Sequence, residues 1–450
     1  MTTPIYDFIR QYINADFSRL HMPGHKGLMP NITEQMNIFA EISKFDITEV
    51  TNADELYDAE GIIAASEQNT AFLYDTKHTS FSAGGSTLCI QAMVRLVANE
   101  GDTIIAARNV HGAFVNACAL LNVTPYFVLP EFNDNFYVSG HVTPSSIEQA
   151  ICFNPTAKAV YITSPDYLGC ISDVKGIADV CKKHNIPLVV DNAHGAHLKF
   201  MPYDIHPITL GATICCDSAH KTLPVFTGGA YIHVNKQSDI SKEQVKSAMA
   251  LFGSTSPSYL IMTSLDLNNL YLEKHAKADF KQLIETVSQI EAVARKKGFT
   301  PIGDNYDITK LTFDAYQVGM TGTELKQHFQ RYKIEPEYTA SRHVVLMLSP
   351  QNTKRDIDRM KNALGAIEPK PIITEEPTHA HIPKRVMSIR TALLNRKTVV
   401  HVDEANGKIA AEVKIKCPPG VPIVIPGEII DEYTQKLLKK SSIFTINVVI

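Results

Sequence analysis

Residues 187–222 read PLVVDNAHGAHLKFMPYDIHPITLGATICCDSAHKT, and this stretch predicts the architecture of the chain. Its apolar runs, residues 187–191 and 212–216, are bounded by Pro, Gly or Asp, as buried strands are. Polar residues follow each run directly, and Asp191 precedes Lys221 by about one β-α-β unit. We therefore expect two strands of one sheet whose carboxyl ends present these polar residues at the same edge.

The same alternation of short apolar runs and helical patterns continues on both sides of this stretch. The predicted strands cover residues 103–107, 125–129, 159–163, 187–191, 212–216 and 229–234. The predicted helices among them cover residues 87–99, 113–121, 147–153 and 177–184. This order predicts an α/β fold with a mostly parallel sheet that helices cover on both faces.

The character of the sequence changes near residue 300, after a long proline-free helical pattern over residues 259–297. Further strands are predicted at 311–316, 344–348 and 443–449, helices at 322–332, 353–364 and 428–440, and a loop at 367–383. We therefore predict an N-terminal linker segment at 1–60, a large domain at 61–300 and a smaller α+β C-terminal domain at 301–450.

The composition favours a soluble, cytoplasmic globular protein. Of its 450 residues, 44% are hydrophobic and 20% charged, with a net charge of −4, which excludes a disordered chain and a basic surface for nucleic acid. No apolar run is long enough to cross a membrane, and the N-terminus lacks the pattern of a signal peptide. The eight cysteines are too few for a disulfide scaffold, and the pair Cys215-Cys216 lacks further ligands at zinc spacing. We expect buried thiols and no metal.

Asp191 and Lys221, placed at the ends of two strands, suit pyridoxal 5'-phosphate. A lysine forms a Schiff base with the aldehyde of this cofactor, and an aspartate stabilises its protonated ring nitrogen. The lysine must be neutral to react, so we expect its pKa to be lowered by burial or by a nearby cation such as His220. The alternative is a surface lysine beside an aspartate that caps a helix.

Candidates for the rest of the cofactor site lie near other strand ends. Gly85, Ser86 and Thr87 precede a predicted helix, whose N-terminus suits a phosphate, although an ordinary helix cap has the same composition. His111 follows the strand at 103–107 and can stack on the cofactor ring or transfer a proton; the alternative is a surface histidine. Ser164 ends the strand at 159–163 and can bond the ring, or simply form a turn.

Ten segments of the sequence are similar to those of one enzyme family. The segments that carry this resemblance are MPGHKG at 22–27, YDAEGII at 57–63, GST at 85–87, RNVH at 108–111, TSP at 163–165, DNAHGAH at 191–197, SAHKTLP at 218–224, TSPSY at 255–259, PPGVP at 418–422 and PGE at 426–428. With them the chain resembles the Orn/Lys/Arg decarboxylases, the group III amino-acid decarboxylases of the aspartate-aminotransferase fold, known as fold type I. Because it starts almost at the linker, it resembles the short form without the N-terminal wing domain.

The resemblance implies a role for each matched residue. Lys221 would bond the cofactor, Asp191 would pair with its ring nitrogen, and His111 would stack on the ring. The phosphate would be held by Gly85, Ser86, Thr87, Ser218 and His220, with Ser256 reaching it from a second subunit; His194 would lie beside the ring and Ser164 would bond it. Family members are at least homodimers with shared active sites. Asn192 departs from the pattern, because many members have Glu at that position.

The implied reaction is decarboxylation of arginine, lysine or ornithine to the amine and CO₂, which feeds polyamine metabolism. Glu428 is the predicted carboxylate for the distal cation of the substrate, with Glu335 and Glu337 as further candidates. Two alternatives stay open. One is an aminotransferase or carbon–sulfur lyase of the same fold, whose carboxylate-binding arginine would be Arg342, Arg385, Arg390 or Arg396. The other is a binding or regulatory protein without catalysis.

Overall fold

The computed structural model of the protein describes residues 1–28, 39–133, 138–300, 305–375, 379–416 and 420–450. The α-helices are α1 (Pro4–Asn14), α2 (Ala40–Phe45), α3 (Ile62–Tyr74), α4 (Gly85–Val97), α5 (Gly112–Leu121), α6 (Pro144–Phe153), α7 (Val174–Lys183), α8 (Ala219–Thr222), α9 (Lys242–Ala250), α10 (Tyr259–Lys274), α11 (Ala276–Lys296), α12 (Gly322–Arg331), α13 (Lys354–Gly365), α14 (Ile389–Leu394) and α15 (Glu432–Lys440). Short 3₁₀ helices are Leu56–Asp58, Ala196–Phe200, Ala315–Val318 and Val402–Glu404.

The strands are β1 (His78–Ser82), β2 (Thr103–Ala107), β3 (Thr124–Val128), β4 (Phe132–Asn133), β5 (Val138–Ser139), β6 (Ala159–Thr163), β7 (Leu188–Asp191), β8 (Ile214–Asp217), β9 (Ala230–Val234), β10 (Lys310–Asp314), β11 (Tyr338–Thr339), β12 (His343–Met347), β13 (Lys397–His401), β14 (Lys414–Lys416), β15 (Val421–Val424) and β16 (Thr445–Val449). Smaller sheets have the orders β10-β12-β11, β13-β16, β14-β15 and β4-β5.

A seven-stranded sheet of order β1-β9-β8-β7-β6-β2-β3 forms the centre of the fold. Strand β2 pairs in parallel with β3 and β6, and β7 pairs in parallel with β8, whereas β9 pairs antiparallel with both β8 and β1. All six strands predicted for this sheet are present, so the mostly parallel α/β fold is confirmed. Nearly all residues of β2, β6, β7, β8 and β9 are buried, as expected for strands covered on both faces, whereas the edge strand β3 is largely accessible.

The edge strand β1 is not predicted from the sequence, because it reads HTSFS and has no apolar run. Hydrogen bonds allow its polar side chains to be buried. Thr79 Oγ1 lies 2.8 Å from Nδ1 of His233 on β9, and the N–H of Phe81 donates to Glu67 Oε1 at 2.8 Å. Satisfied polar groups of this kind do not produce the hydrophobic pattern on which strand prediction depends.

Two predicted helices differ in their bounds. The pattern over 259–297 is two helices, α10 and α11, separated at His275, which leaves the helical conformation with φ −126°. The helix predicted from residue 428 begins instead at Glu432, since Asp431 is its N-cap and accepts the N–H of Thr434 at 2.7 Å. A side-chain cap of this type sets where a helix starts.

The chain divides into two compact units, each built from two segments. The first unit contains Met1–Leu96 and Val189–Lys277, and the second contains Val97–Leu188 and Ala278–Ile450. This division follows spatial proximity, and the boundaries predicted at residues 60 and 300 stay a prediction. Pro418 and Pro419, from the recognised segment at 418–422, lie outside the described residues, as does the preceding Cys417.

The cysteines and the helices bear on two expectations from composition. In the described residues every cysteine is a free thiol, and all are buried except Cys152. Burial raises the pKa of Cys89 to about 12, which is the behaviour of an inert core thiol. Within the same residues, none of the helices combines the length and the apolar character needed to cross a membrane.

The N-terminus of helix α3, in the first unit, is capped by a side chain that lies well before the N-cap position in the sequence. The N-cap itself is Gly61, which has no side chain. Asp54 takes over this function: its Oδ1 accepts the N–H of Glu60 at 3.0 Å, and its Oδ2 accepts those of Gly61 and Ile63 at 2.9 Å each. One carboxylate thereby satisfies several N–H groups at the start of the helix and benefits from its dipole.

We predict that Asp54→Ala lowers the free energy of unfolding by about 1–2 kcal/mol, the usual effect of losing a capping side chain. The variant also places alanine at a backbone φ of +70°, which alanine adopts less readily than aspartate. The measurement is the urea midpoint of unfolding. Asp58→Ala is the matched control, since Asp58 is an exposed acid nearby and its loss is expected to leave the midpoint unchanged. Equal midpoints for both variants would contradict the capping role.

Candidate active site

Lys221 lies just beyond strand β8, within the short helix α8. Its backbone N–H donates to the carbonyl of Ser218 at 3.0 Å, and its Nζ lies 3.1 Å from Nε2 of His194. His194 follows strand β7, which pairs in parallel with β8. The carboxyl ends of two neighbouring parallel strands therefore bring a lysine and a histidine together at one sheet edge, as predicted for this fold.

Asp191 is the last residue of β7 and is 2% exposed. Its Oδ1 accepts the N–H of Ala193 at 3.1 Å and lies 3.8 Å from Sγ of Cys216. A carboxylate removed from water in this way favours a positively charged partner. The protonated ring nitrogen of pyridoxal phosphate is such a partner, so the environment of Asp191 fits its predicted role.

A pair of hydroxyl groups lies where the phosphate was predicted. Ser218 Oγ donates to Ser86 Oγ at 2.6 Å, and Ser86 belongs to the first turn of helix α4. Gly85, which opens this helix, has a φ of +68°, and a Cβ at that position would contact nothing within 4 Å. Two hydroxyls and open space at the N-terminus of a long helix fit a phosphate group.

The first unit connects four of the predicted cofactor residues through direct contacts. Ser86 contacts Ser218, Ser218 bonds the backbone of Lys221, and Lys221 lies beside His194. His220 is next in sequence, but its Nδ1 lies 3.0 Å from the carbonyl oxygen of Gly229, so one ring nitrogen is used within the protein.

The contacts of the remaining predicted residues say less about their roles toward a cofactor. Thr87 and Ser256 are exposed in the first unit. His111 and Ser164 belong to the second unit: His111 is the N-cap of α5, where its Nδ1 accepts the N–H of Ala113 at 3.1 Å, and the buried Ser164 accepts the N–H of Ser172 at 3.1 Å. Their roles toward a cofactor stay predictions.

Glu428 does not have the environment predicted for it. It is 1% exposed in the second unit, and its two oxygens accept Nη1 and Nη2 of Arg108 at 2.7 Å each. Its Oε2 also accepts the N–H of Ile425 at 2.9 Å. Because the carboxylate is already paired with a cation in bidentate geometry, we replace the predicted substrate-binding role of Glu428 with a structural one.

The two other acidic candidates also have partners in the second unit. Glu335 accepts a hydrogen bond from Gln330 at 3.0 Å and lies 3.5 Å from the ammonium group of Lys326. Glu337 accepts the hydroxyl of Tyr167 at 3.0 Å. Neither contact is buried, so these carboxylates stay candidates.

Behind the lysine and the aspartate lies a buried network that the sequence did not predict. Asp217, the residue before Ser218, accepts Nδ2 of Asn192 at 2.7 Å through Oδ1. Its Oδ2 lies 3.0 Å from Nε2 of His206 and 3.3 Å from Nε2 of His233. Both histidines and Asp217 are fully buried. Asp217 therefore joins the loop after β7 to the loop after β8, the two loops that carry the candidate site.

The charges of this network follow from its composition. Burial alone would raise the pKa of Asp217, but the nearby His206 and His233 outweigh burial and hold that pKa well below its usual range. Burial lowers the pKa of His233, and Asp217 offsets this only in part. Asp217 is thus an ionised carboxylate in the interior, with Asn192 and His206 at hydrogen-bonding distance and His233 nearby.

The same three side chains are a possible metal-ligand set, with ligand atoms within 4.8 Å of one another. The sequence predicts no metal site, and it does not indicate this set, whose members are far apart in the chain. Their spacing in the sequence matches no metal-binding motif. Each is a polar residue in or near an apolar run, and this pattern is the sequence signal for the network. Both carboxylate oxygens of Asp217 already face nitrogen donors.

We predict that Asp217→Asn lowers the free energy of unfolding at pH 7 by about 2–4 kcal/mol, because it removes a buried charged acceptor that faces the amide of Asn192 and two imidazoles. The urea midpoint of unfolding is the measurement. Asp239→Asn is the matched control, since Asp239 is an exposed acid of the same unit. A midpoint for Asp217→Asn equal to that of the control would show that the network contributes nothing.

The same variant gives a pH prediction. The folded-state pKa of Asp217 is depressed, so its contribution is present above the unfolded value of about 3.9 and is lost as the pH falls toward the folded value. The gap between wild type and Asp217→Asn is therefore expected to narrow from pH 6 to pH 3. Midpoints measured across this range test the sign, and a gap that widens toward acid would be the contrary result.

Comparison with known proteins gives consistent matches over most of the chain. The family model described as "Orn/Lys/Arg decarboxylase, major domain" matches residues 3–302, and the model described as "Orn/Lys/Arg decarboxylase, C-terminal domain" matches residues 372–443. An arginine decarboxylase of Bacillus subtilis is 29% identical over 96% of this chain and 91% of its own length. The protein YaaO of the same organism is 31% identical over 99% of this chain and 95% of its own.

Further relatives and solved structures agree in fold. An arginine decarboxylase of Halalkalibacterium halodurans is 28% identical over 98% of this chain and 93% of its own length. The lysine decarboxylase LdcF of Francisella novicida superposes with a TM-score of 0.82 at 16% identity, covering 100% of this chain and 81% of its own. Lysine decarboxylase A of Pseudomonas aeruginosa superposes with a TM-score of 0.81 at 16% identity, covering 99% of this chain and 80% of its own.

Proposed function

The chain belongs to the Orn/Lys/Arg decarboxylase family and is a pyridoxal-phosphate-dependent amino-acid decarboxylase, and we propose that its substrate is a basic amino acid, arginine before lysine or ornithine. Several relatives that match nearly the whole chain are named arginine decarboxylase, which supports arginine as the first substrate to test. The product would be agmatine, a precursor of polyamines, formed in the cytoplasm.

The observation that carries the proposal is the contact of Lys221 Nζ with His194 Nε2 at 3.1 Å, next to the paired hydroxyls of Ser86 and Ser218. Within one unit, this arrangement provides an amine for the aldehyde of the cofactor and hydroxyl donors for its phosphate. Asp191 is proposed to hold the ring nitrogen, and His194 to lie beside the ring. These residues are the proposed partners of the aldehyde, the phosphate and the ring nitrogen of the cofactor.

The bound cofactor supplies an electron sink for the bond that breaks at the α-carbon. The protein must keep Lys221 able to give up and accept a proton at Nζ. His194 is within hydrogen-bonding distance of Nζ and is proposed to hold that proton in turn. Asp191 contributes a fixed negative charge without solvent, so its interaction with a cation is stronger than it would be in water. Lys221 is the proposed proton donor to the α-carbon once CO₂ has left.

The proposal extends to residues whose contacts lie outside this set. His111 is proposed to stack on the cofactor ring and Ser164 to bond it, as the family resemblance implies. Ser256 is exposed in a loop that precedes α10, which leaves its hydroxyl accessible to a second subunit. We therefore also propose a homodimer in which Ser256 completes the phosphate site of the other copy.

We predict that the cofactor-loaded protein releases CO₂ from arginine faster than from lysine or ornithine, and that Lys221→Ala loses this activity by about 10³-fold or more. The measurement is CO₂ release with each amino acid offered separately. Lys182→Ala is the control, because Lys182 is an exposed lysine on α7 that contributes no predicted site group. Its rate is expected to equal that of the wild type.

Other outcomes would replace the proposal with a named alternative. Transfer of the amino group to a ketoacid, without CO₂ release, would establish an aminotransferase. The aminotransferase alternative has one candidate arginine fewer, since the Arg342 side chain is already paired with Asp314, through Nε at 2.9 Å and Nη2 at 2.6 Å. Failure to bind the cofactor, seen as absence of its absorbance band, would establish a non-catalytic relative.

A further inference from the structure

The second unit contains a cavity that the proposed reaction does not use. Its volume is about 240 Å³. One wall is formed by the C-terminal end of α5 and the residues that follow it, 122–125, and the other by residues 385–390 at the start of α14. Both walls are described completely and belong to the same unit.

The cavity lining has an excess of positive charge. Arg385 and Arg390 both line it, and no carboxylate is among its lining residues. Glu428 is the carboxylate that acts on the charge of Arg385, but both of its oxygens already accept hydrogen bonds from Arg108. Glu428 thus faces the charges of both Arg108 and Arg385. Burial lowers the pKa of Arg385 and Glu428 offsets this only in part, as expected for a cation short of counter-charge.

Both arginine side chains are held in place through one nitrogen. Arg385 Nη1 donates to the carbonyl of Pro125 at 3.1 Å, and Arg390 Nη1 donates to the carbonyls of Leu120 at 2.8 Å and Ala119 at 3.3 Å. In the described part of the chain, these are the hydrogen bonds of the two guanidinium groups. Each group keeps Nη2 and Nε for another acceptor, and its orientation is already fixed.

We propose that this cavity binds a small phosphate-type oxyanion, either inorganic phosphate or the phosphate group of a small metabolite. Two preoriented guanidinium groups match the several oxygens of such an anion, and two positive charges match a dianion better than a monocarboxylate. The volume admits a phosphate with a small substituent. The cavity lies in a different unit from Lys221 and its neighbours, so this proposal does not depend on the proposed function.

The ligand site would also contact a helix that leads to a predicted catalytic residue. Helix α5 runs from His111, its N-cap, to Leu121 beside the cavity, and α14 packs against it. An anion that binds Arg390 would act on the end of α5 whose last carbonyls Arg390 now contacts. The other end of the same ten-residue helix positions His111.

The test is calorimetric titration of the cofactor-loaded protein with inorganic phosphate, at constant ionic strength maintained with chloride. We expect one saturable site with a Kd of about 1 mM or tighter. Arg385→Gln and Arg390→Gln are each expected to weaken binding about tenfold or more, the effect of losing a charged hydrogen bond. Lys384→Gln is the matched control: Lys384 is exposed, has the same charge and does not line the cavity.

Additional variants make each outcome decisive. Arg385→Lys keeps the charge but loses the planar fork, and intermediate binding is expected even if Arg385→Gln fails to fold. Ser86→Ala reports phosphate bound at the cofactor cradle instead, and is expected to leave this site unchanged. Absence of saturable binding by the wild type, equal weakening in Lys384→Gln, or loss only in Ser86→Ala would each overturn the proposal. Titration with a phosphorylated sugar and with free phosphate distinguishes the two ligand sources.

Discussion

The ionised carboxylate of Asp217, buried at the end of β8, is the constraint on which the candidate site depends. It accepts an amide from the loop after β7 and faces two imidazoles, one of them on β9. A buried charge is tolerated only where its hydrogen bonds are satisfied, so these donors must be in place for the fold to form. Ser218 and Lys221 follow directly in sequence, and their positions are fixed by the same requirement.

The alternation of side chains along the strands separates the chemistry from its support. In the β7–β8 register Asp191 is opposite Cys216, and these two side chains contact each other on one face of the sheet. Asn192 and Asp217 are each one residue further and meet on the other face. An acid at position 192, which the family resemblance implies for many members, would oppose Asp217, whereas the amide of Asn192 donates to it. The departure at 192 is therefore matched by its neighbour and does not disturb Asp191.

The success of sequence reasoning depended on whether a feature is local. The strands of the parallel sheet, the residues after β7 and β8, and Ser86 at the start of α4 were predictable, because each follows from a run of neighbouring residues. The network of His206, Asp217 and His233 was not, since its members meet only through strand pairing and a long loop. Strand β1 was missed for the same reason: its polar residues are acceptable in the core only beside His233 and Glu67.

Glu428 belongs to a recognised motif, but its contacts support a structural role in place of the predicted substrate contact. In the segment Pro426-Gly427-Glu428, Gly427 has a φ of +91°, and a Cβ there would approach the carbonyl oxygen of Met387 to 2.3 Å. The N–H of Gly427 donates to the carbonyl of Ala410, and the carbonyl of Gly427 accepts the N–H of Val386. The carboxylate of Glu428 neutralises Arg108. Packing and charge balance are sufficient to explain why this segment has its sequence. A substrate cation at Glu428 would have to displace a buried bidentate guanidinium, at a cost of about 3–5 kcal/mol for leaving that charge unpaired. Glu335 and Glu337, whose contacts are exposed, therefore stay the candidates for binding the distal cation of a substrate.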